Sequence, residues 1–228
     1  MSKFLRLKDD DGLIRHSVLM LAVTHAGSVV NMLFHMVMGW ALSKAEYGIL
    51  VSLLGATLVV MTPMVAIQNT MAHFTGRYVQ EQRWGDIRVL VRSWTLKIFG
   101  LCMPLIVLAL VLRSSLAGFF QLDSSLPVVV TVLGLVGAVL VPIFCGALQG
   151  TQYFGWMSTV SSAWSFIRLA LGAVCVYYWA PWAIFGLAAH GVGVLLSLLI
   201  GVLAFLWVIP KGVPSGQPLE KSDRYFFL

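Results

Sequence analysis

Residues 124–167 read SSLPVVVTVLGLVGAVLVPIFCGALQGTQYFGWMSTVSSAWSFI and contain no charged side chain. Two further charge-free stretches separate Arg15 from Lys44 and Glu46 from Arg77. Each stretch is longer than the roughly 20 residues that a helix needs to cross a bilayer. Backbone amides in hydrocarbon must be satisfied within their own segment, and no alternating pattern indicates a barrel strand, so the sequence predicts transmembrane helices.

The composition agrees with a membrane protein. Hydrophobic residues make up 59% of the 228 residues and charged residues only 11%, with a mean hydropathy of +0.90. A soluble domain is about half apolar and a quarter charged. The net charge of +6 does not indicate nucleic-acid binding, because the basic residues lie in short connections between apolar runs and are not interleaved with aromatics. The expected partner is the lipid bilayer.

Six spans form one all-α lobe. We predict helices over the following ranges: 17–42, 47–74, 94–112, 126–148, 156–178 and 183–208. Residues 1–209 then form a six-helix transmembrane domain, 75–93 a polar hairpin, and 210–228 a cytoplasmic linker or tail. The first apolar run is too long for a cleavable signal peptide and is read as a retained helix.

Positive charge predicts the orientation. Twelve of the fifteen Lys and Arg residues fall on one side of the predicted helices, and only Lys44 and Arg113 fall on the other. The positive-inside rule places the twelve in the cytoplasm. We therefore expect a multi-pass protein of the cell inner membrane with both termini cytoplasmic.

Two predicted helices carry polar stripes. At 100° of rotation per residue, four polar side chains of the first helix point within about 60° of one another, and three polar side chains of the second helix share one face. Such stripes either form hydrogen bonds between helices or line a wet cavity. The candidate cavity residues are Thr24, Ser28, Asn31 and His35 on the first helix, and Thr62, Asn69 and His73 on the second. The sixth helix has a small-residue face of Gly186, His190, Gly193, Ser197 and Gly201.

Arg168 is the main candidate for substrate binding. It lies near the middle of the fifth predicted helix, where an arginine costs about 2.5 kcal/mol or more. Its helical neighbours Ser161, Ser165, Gly172 and Cys175 form a small, polar face, which is not expected to face lipid. An inward guanidinium could hold a phosphate or carboxylate with two hydrogen bonds. The alternative is an arginine that reaches to the cytoplasm or caps carbonyls freed by Pro142.

Covalent chemistry and metal binding are not expected. Six helices and scattered histidines resemble an intramembrane protease weakly, but no Gly-x-Ser-Gly motif supplies a nucleophile. The five histidines have no metal-ligand spacing, and no span contains a carboxylate. The three cysteines fall within apolar runs and form no disulfide framework. We predict no enzyme activity, no cofactor and no metal.

Several short motifs resemble one family. The motifs are Asn31, Tyr47-Gly48-Ile49, Pro63 with Ile67-Gln68, Gly146-Ala147-Leu148-Gln149-Gly150, Phe154 and Arg168-Leu169. In these motifs the chain is similar to the amino-terminal half of the polysaccharide biosynthesis (Wzx-like) flippases of the multidrug/oligosaccharidyl-lipid/polysaccharide exporter superfamily. The resemblance spans nearly the whole chain.

The resemblance implies two six-helix lobes around a cavity that opens alternately to each side of the membrane. It implies movement of an anionic polyprenyl-linked oligosaccharide from the cytoplasmic to the outer leaflet, with Arg168 receiving the pyrophosphate. Family members have about twelve helices, so we expect a second lobe from a missing carboxy-terminal half, a second copy or a partner. A non-transporting membrane scaffold and a drug or cation antiporter lobe remain alternatives.

Overall fold

The computed structural model describes the backbone of residues 10–209 and the side chains of residues 21–209 except Thr24. The predicted tail 210–228 lies outside the described residues. Within them, every regular element is an α-helix. The helices are α1 (Asp10–Ala41), α2 (Lys44–Met61), α3 (Met64–Gln80), α4 (Trp84–Val111), α5 (Arg113–Phe119), α6 (Leu126–Ala138), α7 (Val141–Gly150), α8 (Phe154–Tyr178) and α9 (Ala183–Val208).

Six stretches of helix are long and apolar enough to cross a membrane. They are Leu21–Ala41, Lys44–Gln80, Trp84–Val111, Leu126–Gly150, Phe154–Tyr178 and Ala183–Val208. The prediction of an all-α membrane protein with six spanning helices is confirmed. The chain is a multi-pass membrane protein, and the six spans agree closely with the predicted ranges at their apolar centres.

Two spans are broken near prolines. The second span changes from α2 to α3 at Thr62 and Pro63, and the fourth changes from α6 to α7 just before Pro142. Proline has no N–H, and its ring collides with the carbonyl one turn earlier, so a helix kinks or restarts there. Pro104 is instead kept inside α4.

The connection between α3 and α4 is shorter than predicted. Helix α3 continues to Gln80 and α4 begins at Trp84, so the predicted polar hairpin 75–93 is mostly helix. Ile87, Leu90 and Val91 are buried at helical spacing, which draws the start of α4 into the core. The prediction differs because it treated the charged residues of 75–93 as the limit of the two membrane helices.

Ion pairs satisfy the charges of this connection. Glu81 lies 3.0 Å from Arg77 Nε and 3.0 Å from Arg83 Nη1, and Arg83 Nε donates to Asp86 Oδ2 at 2.7 Å. The hydrogen bond from Arg77, followed by that from Arg83, lowers the pKa of Glu81 below its ordinary value. Helices α3 and α4 are thereby joined through side chains as well as through the chain.

Small residues set the packing of the bundle. Helices α8 and α9 pack along their lengths, α1 lies on α8, α6 lies on α9, and α3 crosses α7. At the last crossing, a Cβ on Gly146 would lie 2.7 Å from Met71 Cβ, and one on Gly150 would lie 2.8 Å from the Gly76 amide nitrogen. Glycine lets these two backbones touch, as in other membrane helix pairs.

Charged side chains hold both ends of α9. Glu46, at the start of α2, accepts a hydrogen bond from the Ala183 N–H at 2.5 Å, where a helix N-terminus favours an anion. At the other end, Arg88 Nη2 donates to the Ile209 carbonyl at 2.8 Å. Helix α9 is therefore tied to α2 at one end and to α4 at the other, which fixes the element on which the site is built.

The α3 and α7 crossing can be tested by filling it. Gly146→Leu places a side chain against the α3 backbone, which cannot move aside, so we expect a loss of about 1–3 kcal/mol or more in unfolding free energy. Gly100→Leu is the matched control, because a Cβ on Gly100 meets nothing within 4 Å. Thermal unfolding of the purified protein in detergent measures both variants, and equal stability of the two would contradict the close crossing.

Candidate binding site around Arg168

Arg168 is buried in the bundle. The residue is only 3% exposed, on a face of α8 that also buries Ser165 and Gly172. Helix α9 approaches this face closely, since a Cβ on Gly193 would lie 2.8 Å from the Trp164 carbonyl oxygen. The glycine-rich face of α9 thus brings two backbones together and encloses the arginine between α1, α8 and α9.

Three side chains contact the guanidinium. Arg168 Nη2 donates a hydrogen bond to Asn31 Oδ1 of α1. The guanidinium carbon lies 4.0 Å from the ring centroid of Phe34 and 4.8 Å from that of Trp164, which are cation–π distances. Arg168 Nε is buried and has no hydrogen-bond partner. The charge is therefore held by two aromatic rings and one amide, and the buried Nε is left without a partner.

A cavity of about 470 Å³ lies beside Arg168. Helices α1, α2, α8 and α9 and the break between α6 and α7 form its walls, and most of its lining is apolar. Its polar lining residues are Asn31, His35, Thr57, Arg168, His190 and Ser197. The size is that of a pocket for one small organic group.

The other polar side chains of the cavity lining differ in whether they have a hydrogen-bond partner. Thr57 Oγ1 donates to the Leu53 carbonyl at 3.0 Å, and His35 Nδ1 lies 3.5 Å from the Tyr47 hydroxyl. His190 Nδ1 and Ser197 Oγ are buried without a hydrogen-bond partner. The His190 ring lies edge-on to Trp164, with centroids 5.4 Å apart. Three buried polar atoms of the cavity lining therefore lack a protein partner.

This arrangement suits the binding of an anion. Among the side chains that the structure describes, no carboxylate lies within ion-pair distance of Arg168. A guanidinium in an apolar cavity attracts a negative group strongly because water screens it little. Within residues 21–209 no group of three potential metal ligands is found. The site can hold and orient an anion.

The structure brings some of the predicted residues together and separates others. Asn31, His35 and Arg168 line the same cavity. Ser28 of α1 and the second stripe, Thr62, Asn69 and His73, are exposed and lie outside the cavity lining. The side chain of Thr24 lies outside the described residues. The second stripe misses the cavity because α2 ends at Met61, so helical spacing counted across the break at Thr62 and Pro63 no longer follows one face.

Sequence reasoning missed two partners of Arg168. Trp164 precedes it by one helical turn, a spacing that places both side chains on one face. Phe34 lies one turn before Met38 on the buried side of α1. His190 was assigned to a small packing face, whereas it also lines the cavity. The aromatic character of the arginine's surroundings could have been found from the four-residue spacing on α8.

The fold and the site define an all-α, multi-pass membrane protein with a buried arginine beside an internal cavity. Searches with protein-family models, among curated proteins and among solved structures found no match to this chain. The resemblance to flippases therefore stays a prediction from the motif residues. Some of those residues touch: Asn31 contacts Arg168, and Gln68 Nε2 donates to Gln149 Oε1 at 3.3 Å.

The Asn31 contact can be tested by stability. Asn31→Leu leaves a buried donor of Arg168 unpaired, which costs about 1–3 kcal/mol. Asn69→Leu is the matched control, because Asn69 is exposed and outside the cavity lining. We expect thermal unfolding of the purified protein to show a loss for the first variant only. A change in Asn31→Leu no larger than that in Asn69→Leu would show that Arg168 does not depend on this bond.

Proposed function

We propose that this chain is the transmembrane lobe of a flippase or exporter that moves a lipid-linked oligosaccharide or polysaccharide precursor across the inner membrane by alternating access. Both termini face the cytoplasm, where the precursor is loaded. The lobe works with a second six-helix lobe and performs no covalent chemistry. Arg168 binds the anionic group that links lipid and saccharide.

The observation that carries the proposal is a buried arginine without a carboxylate partner at a cavity. Placing an arginine in the middle of a spanning helix costs about 2.5–3.5 kcal/mol or more, and such residues usually mark a substrate or ion pathway. Arg168 lies against Asn31 and aromatic rings, which leave its positive charge uncompensated within the described residues. An anionic substrate supplies the missing charge.

Helix breaks next to the cavity support a transport cycle. Met61, the last residue of α2, lies in the cavity lining, as do Val141 and Pro142 at the start of α7. Interrupted helices in membrane proteins are tolerated where they line a cavity, and transporters use them at substrate sites. Rocking of α2 and of the α6–α7 segment at these breaks would open the cavity to one side at a time.

The surface of the bundle supports a second lobe. Asn69 and His73 of α3 are exposed although they belong to a candidate span. Polar groups that face hydrocarbon without a partner are costly. A second lobe that covers this face would remove the cost.

One observation favours the alternative of a non-transporting scaffold. The guanidinium is bonded to Asn31 and lies against Phe34 and Trp164, which is also how a purely structural arginine joins two helices. In that role the arginine needs no ligand, and the cavity stays empty. The two functions predict different consequences of removing the charge while keeping the fold.

The test replaces Arg168 in a cell whose surface polysaccharide depends on this lobe. The lobe is present there together with its second lobe, in the same chain or as a separate partner. Arg168→Gln removes the charge and retains hydrogen-bond donors, and we expect surface polysaccharide to fall at least tenfold because the anion loses its main attraction. Arg168→Lys keeps the charge without the forked geometry and should retain partial activity. Surface polysaccharide is measured per unit of membrane-inserted protein.

The control for charge is Arg113→Gln, since Arg113 lies at the start of the short helix α5, away from the cavity. Its polysaccharide should be unchanged. Normal surface polysaccharide in Arg168→Gln, at a normal protein level, would overturn the proposed function and favour the scaffold.

A further inference from the structure

The cavity lining contains two unpartnered polar atoms whose side chains both lie against the same aromatic ring. Arg168 Nε and His190 Nδ1 are both buried without a hydrogen-bond partner, and the two side chains both lie against Trp164. We infer that Arg168 and His190 together bind one phosphoryl oxyanion beside Trp164, with His190 as a second ligand contact. The inference rests on the proposed function, from which it takes the anionic class of the substrate.

Unsatisfied donors are the first support. A buried polar atom without a partner costs free energy, and native proteins rarely retain one without a ligand, a water or a functional reason. Here two such atoms belong to residues of one lining, and one of them carries a positive charge. An oxyanion would satisfy both and would compensate the charge, which a water molecule alone cannot do.

The positioning of the guanidinium is the second support. Asn31 and Phe34 hold the arginine from the α1 side, and Trp164 holds it from its own helix. These contacts use Nη2 and the planar face, and they leave Nε as a fixed donor. A donor that is held in place by its neighbours loses less entropy when a ligand binds.

Histidine chemistry suits the second contact. The tautomer that carries its proton on Nδ1 donates one hydrogen bond without adding a second positive charge beside Arg168. The charged and titratable residues that line the cavity are His35, Arg168 and His190. His35 Nδ1 already lies near the Tyr47 hydroxyl, so His190 is the histidine with an unused Nδ1.

Ser197 is not part of this contact. It also has an unpartnered hydroxyl, but it lies seven residues beyond His190 on α9, which corresponds to roughly 10 Å along the helix. One phosphoryl group cannot reach both positions. Ser197 remains available to another part of the ligand or to water.

The experiment measures diphosphate binding to the full 228-residue chain in nanodiscs of zwitterionic phosphatidylcholine. The probes are inorganic pyrophosphate and farnesyl diphosphate, measured by calorimetry, so that a free and a lipid-linked phosphoryl group are distinguished. We expect His190→Leu to weaken binding at least about tenfold, because a hydrogen bond to a charged group is lost. His190→Asn keeps a side-chain N–H close to the position of Nδ1 and should stay within about threefold of wild type.

His73→Leu is the matched control, since His73 is exposed on α3 and lies outside the cavity lining. Its affinity should equal that of wild type. Binding of farnesyl diphosphate but not pyrophosphate would assign the oxyanion to a lipid, and binding of both would assign the site to the phosphoryl group itself; either result supports the inference. No binding by wild type, or His190→Leu within twofold of it, would overturn the inference.

A second measurement covers the case in which His190→Leu fails to fold. In the unmodified protein with ¹⁵N-labelled histidine, diphosphate should shift the Nδ1 resonance of one of the five histidines. No shift at a concentration that saturates calorimetric binding would contradict the contact. The proposed function and this inference can fail separately. If surface polysaccharide does not depend on Arg168 but diphosphate binding depends on His190, only the proposed function fails. If surface polysaccharide depends on Arg168 but diphosphate binding does not depend on His190, only this inference fails.

Discussion

A positive charge inside an apolar helix bundle is the constraint on which the rest of the structure depends. Arg168 lies where water is scarce, and its charge must be compensated by contacts that the helices provide. The bundle provides two aromatic faces and one amide, and it stops short of a carboxylate among the described residues. In the proposed function, this incomplete compensation makes the arginine a site for an anion, whereas a closed ion pair would serve only packing.

The close packing around the arginine follows from glycine. Gly193 lets α9 lie against the α8 backbone beside Trp164, and Gly146 and Gly150 let α7 lie against α3. Contacts at the two ends of α9, from Glu46 and Arg88, then fix this helix, whereas two neighbouring spans are interrupted where they line the cavity. Rigid and interrupted helices are thus combined around one cavity.

The sequence predicted the helical membrane class and the six spans because charge-free length is a strong, local signal. It also placed Asn31 and Arg168 on inward faces, because the direction of the side chains repeats regularly along a helix. It grouped Thr62, Asn69 and His73 with the cavity residues by helical spacing carried across Pro63, whereas the structure places these three outside the lining beside Arg168. It also could not pair residues across helices. The contacts of Phe34 and Trp164 with the guanidinium depend on how α1, α8 and α9 come together, which no single helix encodes.

The central claim is that Arg168 makes an accessible, cationic cavity within the membrane lobe. The most direct test is the reactivity of Leu54→Cys, in the cavity lining, on a background without native cysteines, with an anionic and a neutral thiol reagent. We expect Leu54→Cys to react and Leu203→Cys, on the outer surface of α9, not to react. Adding Arg168→Gln to Leu54→Cys should lower the ratio of the reaction rate with the anionic reagent to that with the neutral reagent by about tenfold, because the Coulomb attraction is lost. An unreactive Leu54→Cys, or a ratio that does not change when Arg168 is replaced, would contradict the central claim.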